Sequence, residues 1–263
     1  MTDNTELVHL VVEDGVATIT LDSPTNRNAL SRRLVAELIA HLHSAEQTEG
    51  VRVVVLTHTG GTFCAGADLA EAVESGMEQG TRSLLALLTT IVELAIPVVA
   101  VVRGHARAGG VGLIGACDIA LASDGSTYGF TEALLGLTPA IISLTTRSRL
   151  AERDAARKYL TGATFDGREA ARSGLVTESA PADQLDATLD SRIMELCKAS
   201  PQGLRETKAL LNGPLSKHIA ADGERLVELS ARLFASDEAR EGMTAFRERR
   251  PPAWAPRAQS QRA

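Results

Sequence analysis

Two runs of apolar, mostly β-branched residues limit what this chain can fold into more than any other feature. They cover residues 51–56 and 98–103, and neither alternates strictly between apolar and polar positions. Uninterrupted runs of this kind are typical of strands buried on both faces of a parallel sheet. Helical segments follow both runs, and a third, shorter strand is predicted at 118–122. Alternating strands and helices predict an α/β fold with mostly parallel pairing.

The two ends of the chain are predicted to differ in structure. Residues 7–12 and 16–21 flank Asp14-Gly15, a dipeptide typical of tight β-hairpin turns. Ser31 is a suitable N-cap for the first helix. Beyond about residue 180 the chain becomes helical and charged. Four helices are predicted there, near 181–198, 201–212, 218–235 and 237–249.

The composition disfavours several classes of function. The chain of 263 residues has a net charge of −6, whereas proteins that bind nucleic acid or anionic membranes need a basic surface. Its apolar runs, such as 96–102, are far shorter than the roughly 20 residues of a membrane span. Three cysteines without a close pair predict neither a disulfide framework nor a metal site. Because the first residues do not resemble a secretory signal, we expect a cytoplasmic location.

Both buried strands lead into loops of small residues, at 59–68 and 104–112. Glycine lets a ligand approach the backbone closely, and open α/β sheets bind ligands at the carboxyl ends of their strands. Two backbone N–H groups aimed at one point form an oxyanion hole, which stabilises developing negative charge. The loops are therefore candidates for such a site, and the alternative is that they only turn the chain.

A dinucleotide-binding motif is a competing interpretation of the second loop. Gly110, Gly112 and Gly115 fit the pattern G-x-G-x-x-G. The motif should begin directly after its strand, but residues 105–109 intervene. The acidic residue expected about 20 positions later is matched only by Glu132, in a segment that resembles a helix start. We therefore disfavour a nicotinamide cofactor.

Four segments, in order, resemble the enoyl-CoA hydratase/isomerase (crotonase) superfamily over nearly the whole chain. They are Asn28-Ala-Leu30, residues 63–69 (FCAGADL), residues 102–112 with Ala116-Cys-Asp118, and residues 241–249. The resemblance implies a crotonase-like spiral of ββα repeats over 1–195 and a helical C-terminal trimerisation region over 196–263. It also implies an enzyme of fatty acid metabolism that binds an acyl-CoA thioester and stabilises its enolate. No cofactor is expected, because coenzyme A is part of the substrate.

The same resemblance implies roles for individual residues. The N–H groups of Ala67 and Gly109 would hold the thioester carbonyl oxygen. Phe246 and Arg249 would reach coenzyme A bound to a neighbouring subunit, in a homotrimer or a dimer of trimers. The alternatives for these two are a core aromatic residue and a solvated charge. The loop residues expected to contact coenzyme A are Ala65, Gly66, Asp68, Leu69 and Gly110.

One of the two catalytic carboxylates of the family's hydratases is missing. It should stand three residues after Gly109, where this chain has Gly112. Glu132 matches the second carboxylate, and we favour a catalytic role for it. The alternative is an acid that stabilises a helix N-terminus through the helix dipole.

Other side chains could replace the missing carboxylate. Glu71 and Glu74 follow the first loop, although acids at such positions are more often solvated. His105 could be a base or a packed loop histidine, and Arg107 could receive a substrate carboxylate. Residues 137–143 depart from the glycine-rich turn that helps to line the acyl pocket in many relatives. The bulk of Ile141 and Ile142 in that segment is expected to change the shape of the pocket.

Three functions remain open from the sequence. Hydration of an enoyl-CoA is the commonest activity in the family. Isomerisation of the double bond needs only one carboxylate, which Glu132 supplies. A catalytically weakened acyl-CoA binding subunit is the third, and Gly112 is the feature that favours it.

Overall fold

The computed structural model describes residues 6–68, 71 and 77–256 and contains two β-sheets surrounded by helices. The strands are β1 (Val8–Glu13), β2 (Val16–Leu21), β3 (Val53–His58), β4 (Thr62–Cys64), β5 (Val98–Val102), β6 (His105–Arg107), β7 (Ile119–Ser123), β8 (Thr127–Gly129), β9 (Phe165–Asp166) and β10 (Glu178–Ala180). The helices are α1 (Arg32–Gln47), α2 (Met77–Glu93), α3 (Gly109–Ala116), α4 (Ala140–Thr146), α5 (Glu152–Thr161), α6 (Gly167–Ser173), α7 (Leu185–Lys198), α8 (Pro201–Phe234) and α9 (Asp237–Glu248).

The chain builds both sheets together by repeating a unit of two strands, one for each sheet. The larger sheet has the order β1-β2-β3-β5-β7-β10 and the smaller one has the order β4-β6-β8-β9. Each of the pairs β3–β4, β5–β6 and β7–β8 gives its first strand to the larger sheet and its second to the smaller, before helical chain follows. Pairing is parallel except for β1 with β2 and β8 with β9. The expected α/β spiral of ββα repeats is confirmed.

The N-terminal hairpin forms where the sequence predicts it. Asp14 and Gly15 have φ angles of 48° and 79°, and the tight hairpin turn requires positive φ at both central residues. Ser31 caps α1 as expected, because its hydroxyl accepts a hydrogen bond from the Leu34 N–H at 3.2 Å. These local signals therefore set the start of the fold.

The central strands β3 and β5 of the larger sheet are buried on both faces, as their composition predicts. Val54 and Leu56 of β3 join the main core, which lies between the sheet and α1, α2 and α3. Val53 and Val55 point the other way and pack in a second cluster with Leu185 of α7. The helix α7 therefore covers the face that would otherwise be open, which explains the absence of alternating polar residues in β3.

The helix α8 corrects the predicted C-terminal organisation. Separate helices at 201–212 and 218–235 are wrong, because one helix of 34 residues runs from Pro201 to Phe234 with Pro214 in its interior. An interior proline costs about 3 kcal/mol of helix stability, since it removes a donor and crowds the preceding turn. Contacts of α8 with α2 and α4 offset that cost. The boundary between 1–195 and 196–263 stays a prediction, and α7 runs across it.

A buried polar cluster fixes α8 to the body of the protein. The Lys208 ammonium lies 2.8 Å from Asp118 Oδ2 and donates to the carbonyl of Ile91 at 3.0 Å. Asn212, one turn further along α8, donates to Asp118 Oδ1 at 2.9 Å. Asp118 also accepts the N–H of Val98 at 2.8 Å. The cluster thus joins α8 to the end of α2 and to the larger sheet.

Within the described residues, no helix is both long enough and apolar enough to cross a membrane.

Candidate active site

The two glycine-rich loops meet at Gly66 and Gly109. Gly66 has a φ of +94°, and a Cβ atom built on it would lie 2.9 Å from the Cβ of Ala108 and 3.3 Å from the Gly109 nitrogen. A Cβ on Gly109 would lie 3.6 Å from the Gly66 Cα. These contacts leave no space for side chains between the loops. The sequence therefore needs glycine here to bring two backbone segments together.

The Asn28-Ala-Leu30 segment holds the first loop in place. Asn28 is fully buried, and its amide donates to the carbonyl of Thr62 at 2.8 Å. The Leu30 N–H donates to the Gly66 carbonyl at 2.8 Å, and Leu30 also forms an isolated parallel bridge with Ala67. The backbone of Ala67 is thereby positioned beside the start of α1.

The second loop ends at the first residue of α3, which is Gly109. The first N–H groups of a helix have no acceptor within the helix, so they point outward at its start. Ala108, the preceding residue, has the unusual backbone angles φ 45° and ψ −118° and donates its N–H to the Gly129 carbonyl at 3.2 Å. Through this bond the end of β8 is joined directly to the second loop.

Glu132 lies three residues beyond Gly129, in a short 3₁₀ helix that spans Thr131–Leu135. Its Oε2 atom is buried and has no hydrogen-bond partner among the described residues. Burial raises the pKa of Glu132 from its usual 4.5 to about 7. A carboxyl group with a pKa near neutrality can both accept and release a proton, which is what general acid–base catalysis requires.

Two aromatic side chains lie near Glu132, and the sequence does not predict their proximity. The rings of Phe130 and Tyr159 lie 4.4 Å apart between centroids. The Tyr159 hydroxyl is hydrogen-bonded to Thr146 Oγ1. Burial, together with the charge of Glu132, raises the pKa of Tyr159 to about 12. Tyr159 lies 27 positions after Glu132, and no motif in the sequence links the two residues.

The position of the missing carboxylate is closed by an apolar side chain. A Cβ atom on Gly112 would lie 2.6 Å from Cγ2 and 3.0 Å from Cβ of Ile142. Ile142 is buried in α4, which packs against α3. The Thr145 hydroxyl strengthens this contact by donating to the Gly112 carbonyl at 2.9 Å. Ile142 therefore fills the space into which a side chain at residue 112 would extend.

The described residues that could replace the carboxylate are engaged elsewhere. Glu71 accepts the N–H of Arg32 at 2.9 Å and pairs with its guanidinium. His105 is exposed, which corrects the expectation of a packed loop histidine, and its Nδ1 lies 2.9 Å from Thr127 Oγ1. Arg107 donates to the carbonyl and the hydroxyl of Thr127, and partial burial lowers its pKa. Both side chains thus belong to a polar cluster on the smaller sheet.

The structure describes four of the five loop residues expected to contact coenzyme A. Ala65 donates its N–H to the Arg27 carbonyl at 3.1 Å, and Asp68 Oδ1 accepts the N–H of Glu71 at 3.3 Å. Gly110 packs on the first loop, because a Cβ there would lie 2.4 Å from the Cys64 carbonyl oxygen. Leu69 and Glu74 lie outside the described residues. The contacts of this set with coenzyme A stay predictions.

The C-terminal residues lie at the surface of the chain. Phe246 of α9 is 63% exposed, so a core aromatic residue is the wrong alternative for it. Arg249 caps α9 in the left-handed conformation, with a φ of 55°, and is also exposed. Their proposed contact with a neighbouring subunit stays a prediction.

The dinucleotide-binding interpretation finds no support in the geometry. Gly110, Gly112 and Gly115 lie inside α3 and are buried, so they do not form the open phosphate-binding loop of a dinucleotide site. Burial raises the pKa of the Cys64 thiol to about 12, which makes it an inert thiol and not a nucleophile. Within the described residues, no group of three or more His, Cys, Asp or Glu side chains could hold a metal ion.

Comparison with known proteins gives consistent matches across the chain. The family model described as enoyl-CoA hydratase/isomerase matches residues 12–257. The crystal structure of an enoyl-CoA hydratase from Mycobacterium avium is 49% identical, with a TM-score of 0.90, and the match covers 95% of this chain and 100% of that one. An enoyl-CoA hydratase/isomerase structure from Pseudoalteromonas atlantica T6c is 30% identical, with a TM-score of 0.86 and coverage of 95% and 100%. A hydroxycinnamoyl-CoA hydratase-lyase from Pseudomonas fluorescens is 33% identical over 210 residues, 76% of each chain.

Proposed function

This chain belongs to the enoyl-CoA hydratase/isomerase family, and we propose that it hydrates the double bond of an enoyl-CoA with Glu132 as its acid–base group. The observation that carries the proposal is the buried Glu132 carboxyl, with a pKa of about 7, three residues after Gly129, whose carbonyl accepts a hydrogen bond from Ala108 of the second loop. The hydratases among the relatives support hydration as the reaction to test first.

The paired loops supply the electrostatic part of the proposed mechanism. The N–H groups of Ala67 and Gly109 donate to the thioester carbonyl oxygen, which gains negative charge as the enolate forms. Such donors are fixed before the reaction begins and so need no reorganisation during it. Loss of one donor from an oxyanion hole typically costs about 3–4 kcal/mol of transition-state stabilisation.

Glu132 supplies the proton transfers. Its carboxylate takes a proton from water while the water oxygen bonds to C3, and the π electrons move through C2 to the thioester oxygen. The protonated Glu132 then returns that proton to C2, so one water molecule is added and the carboxylate is regenerated. Acid–base catalysis by one positioned group contributes about 10²–10⁴-fold.

Isomerisation of a 3-enoyl-CoA is the second candidate, and the contact between Gly112 and Ile142 favours it. With no carboxylate at residue 112, the described site has one group to position water and move protons. In isomerisation Glu132 would remove a proton from C2 and deliver it to C4 through the same enolate. No water molecule has to be oriented, so one carboxylate is sufficient.

Assembly and location belong to the same proposal. We propose a homotrimer or a dimer of trimers in which the exposed Phe246 and Arg249 contact coenzyme A on a neighbouring subunit. The loop residues Ala65, Gly66, Asp68, Leu69 and Gly110 would bind the coenzyme A of their own subunit. We also propose that the protein acts in the cytoplasm, in fatty acid metabolism.

Product analysis separates the two reactions. Crotonyl-CoA and a 3-enoyl-CoA are offered separately to the purified protein and to Glu132→Gln. We expect 3-hydroxyacyl-CoA from crotonyl-CoA, and its loss in the variant. If only the 3-enoyl ester reacts, giving the 2-enoyl isomer, isomerisation replaces hydration. If neither reacts while CoA esters raise the melting temperature, the protein is a binding subunit or takes another acyl group, and the proposal fails.

A further inference from the structure

We infer that Ile142 is a specificity-determining residue, because its side chain occupies the space of a second carboxylate and so sets the balance between hydration and isomerisation. The inference rests on the proposed function, in that it concerns the reaction at Glu132. It makes a separate claim, however, about which side chain fixes the outcome.

The contact itself is the first step. Residue 112 lies on the first turn of α3, three positions after Gly109, so it belongs to the same turn as the proposed oxyanion donor. The Ile142 Cγ2 atom would lie 2.6 Å from a Cβ at residue 112, well inside van der Waals contact. No side chain larger than hydrogen fits at residue 112 while Ile142 keeps its place.

Ile142 also lies on a chain of contacts that leads towards Glu132. The Ile142 carbonyl accepts a hydrogen bond from Thr146 Oγ1 at 2.6 Å. Thr146 in turn is bonded to the Tyr159 hydroxyl, whose pKa the charge of Glu132 raises. These contacts link α4, the helix that carries Ile142, to the residues around Glu132.

The effect on the reaction follows from what the Ile142 side chain cannot do. An isoleucine side chain neither accepts a proton nor hydrogen-bonds to water. Water that attacks C3 must be held in place as well as deprotonated, whereas movement of a proton from C2 to C4 needs no water. An apolar side chain in this space therefore lowers hydration more than isomerisation.

Close packing of helices is the competing explanation for Gly112. Gly115, one turn later, meets Thr146 in the same way, with a hypothetical Cβ 2.8 Å from Thr146 Cγ2. Both glycines could simply allow α3 and α4 to approach each other. The two explanations differ in one outcome, since only the specificity role predicts a change in the ratio of products.

The test exchanges the two side chains. Gly112→Glu alone should not raise the ratio of hydration to isomerisation, because Ile142 blocks the new side chain. Ile142→Gly alone should open a cavity but supplies no carboxylate. The double variant Gly112→Glu/Ile142→Gly supplies the carboxylate and the space for it. We expect a rise of at least ~10-fold in the ratio of hydration to isomerisation, a conservative threshold below the ~10²–10⁴-fold that one positioned acid–base group contributes. Gly112→Gln/Ile142→Gly is the matched control, with the same shape and no charge.

A second variant keeps the test decisive if the exchange disturbs folding. Ile142→Asp places a carboxylate in the same space from the α4 side and leaves Gly112 unchanged. Melting curves and titration with a CoA ester establish that each variant is folded and binds ligand. An unchanged product ratio in folded variants overturns the inference. If both carboxylate variants unfold while Ile142→Ala stays folded with the wild-type ratio, packing alone explains Ile142 and the inference is also overturned.

The wild-type protein reports on the proposed function separately. If it turns over neither ester, that proposal fails, and the exchange is then scored as a gain of crotonyl-CoA hydration from zero. If the wild-type protein is active and the product ratio does not respond to the exchange, only the role of Ile142 fails.

Discussion

Replacing Glu132 by glutamine should abolish activity and at the same time stabilise the fold. The buried carboxyl has its pKa raised from 4.5 to about 7 because burial disfavours the ionised form. The folded protein therefore holds this proton more tightly than the unfolded chain does. As the pH rises from about 4.5 to 7, ionisation costs the folded state stability, and above pH 7 the full cost is present.

The magnitude follows from the size of the shift. One unit of pKa corresponds to about 1.36 kcal/mol, so the rise to about 7 costs at most about 3 kcal/mol. An unfolding entropy of roughly 2.1 cal/mol/K per residue converts this to about 5 °C in melting temperature for a chain of 263 residues. Glu132→Gln should thus melt up to about 5 °C above the wild-type protein at pH 8.

Urea unfolding and calorimetry between pH 5 and pH 8 test this prediction. The stability difference between Glu132→Gln and wild-type should be small near pH 5 and largest above pH 7. Glu228→Gln, at an exposed position of α8, is the control and should show no such pH dependence. Both variants are compared at one protein concentration, because any self-association would also contribute to stability. A difference for Glu132→Gln that is constant with pH, or that grows toward acid, would refute the burial argument.

Three further predictions follow from the same geometry. The kcat/KM for an enoyl-CoA should rise with pH through about 7, because Glu132 must be ionised to accept a proton, and a flat profile over pH 6–8 would exclude it as the base. Lys208→Met should lower the free energy of unfolding by about 3–5 kcal/mol in urea titrations, because Asp118 keeps a buried charge without its partner. Lys208→Met/Asp118→Asn should recover part of that loss, and an equally unstable double variant would contradict the pairing. Infrared spectra of an isotope-labelled thioester should show its carbonyl band at lower frequency when bound, because donors at Ala67 and Gly109 polarise the bond, and an unshifted band would exclude the oxyanion hole.

The sequence predicts the parts of the fold that depend on neighbouring residues. Asp14 and Gly15 predict the hairpin because few residues tolerate positive φ. The β-branched runs predict doubly buried strands, which β3 and β5 confirm. The small residues of the two loops predict a close backbone approach, and Gly66 and Gly109 make that approach.

Contacts between distant residues account for what the sequence does not predict. Local propensity predicts that the helix breaks before Pro214. Lys208 and Asn212, however, hold α8 on the core on one side of that proline, and the helix continues through it. The contact of Ile142 with Gly112 joins residues 30 positions apart. The Tyr159 ring near Glu132 arises in the same way, from the packing of α5 against the 3₁₀ helix. Neither pair has a sequence pattern that would reveal it.

Deuterium incorporation at C2 tests the central claim most directly. The protein and Glu132→Gln are incubated with crotonyl-CoA in D₂O, and deuterium at C2 of the 3-hydroxyacyl-CoA product is followed by mass spectrometry. We predict rapid incorporation with the wild-type protein and a rate about 10²–10⁴-fold lower with Glu132→Gln. Incorporation at the wild-type rate in Glu132→Gln would show that another group moves the proton and would contradict the account.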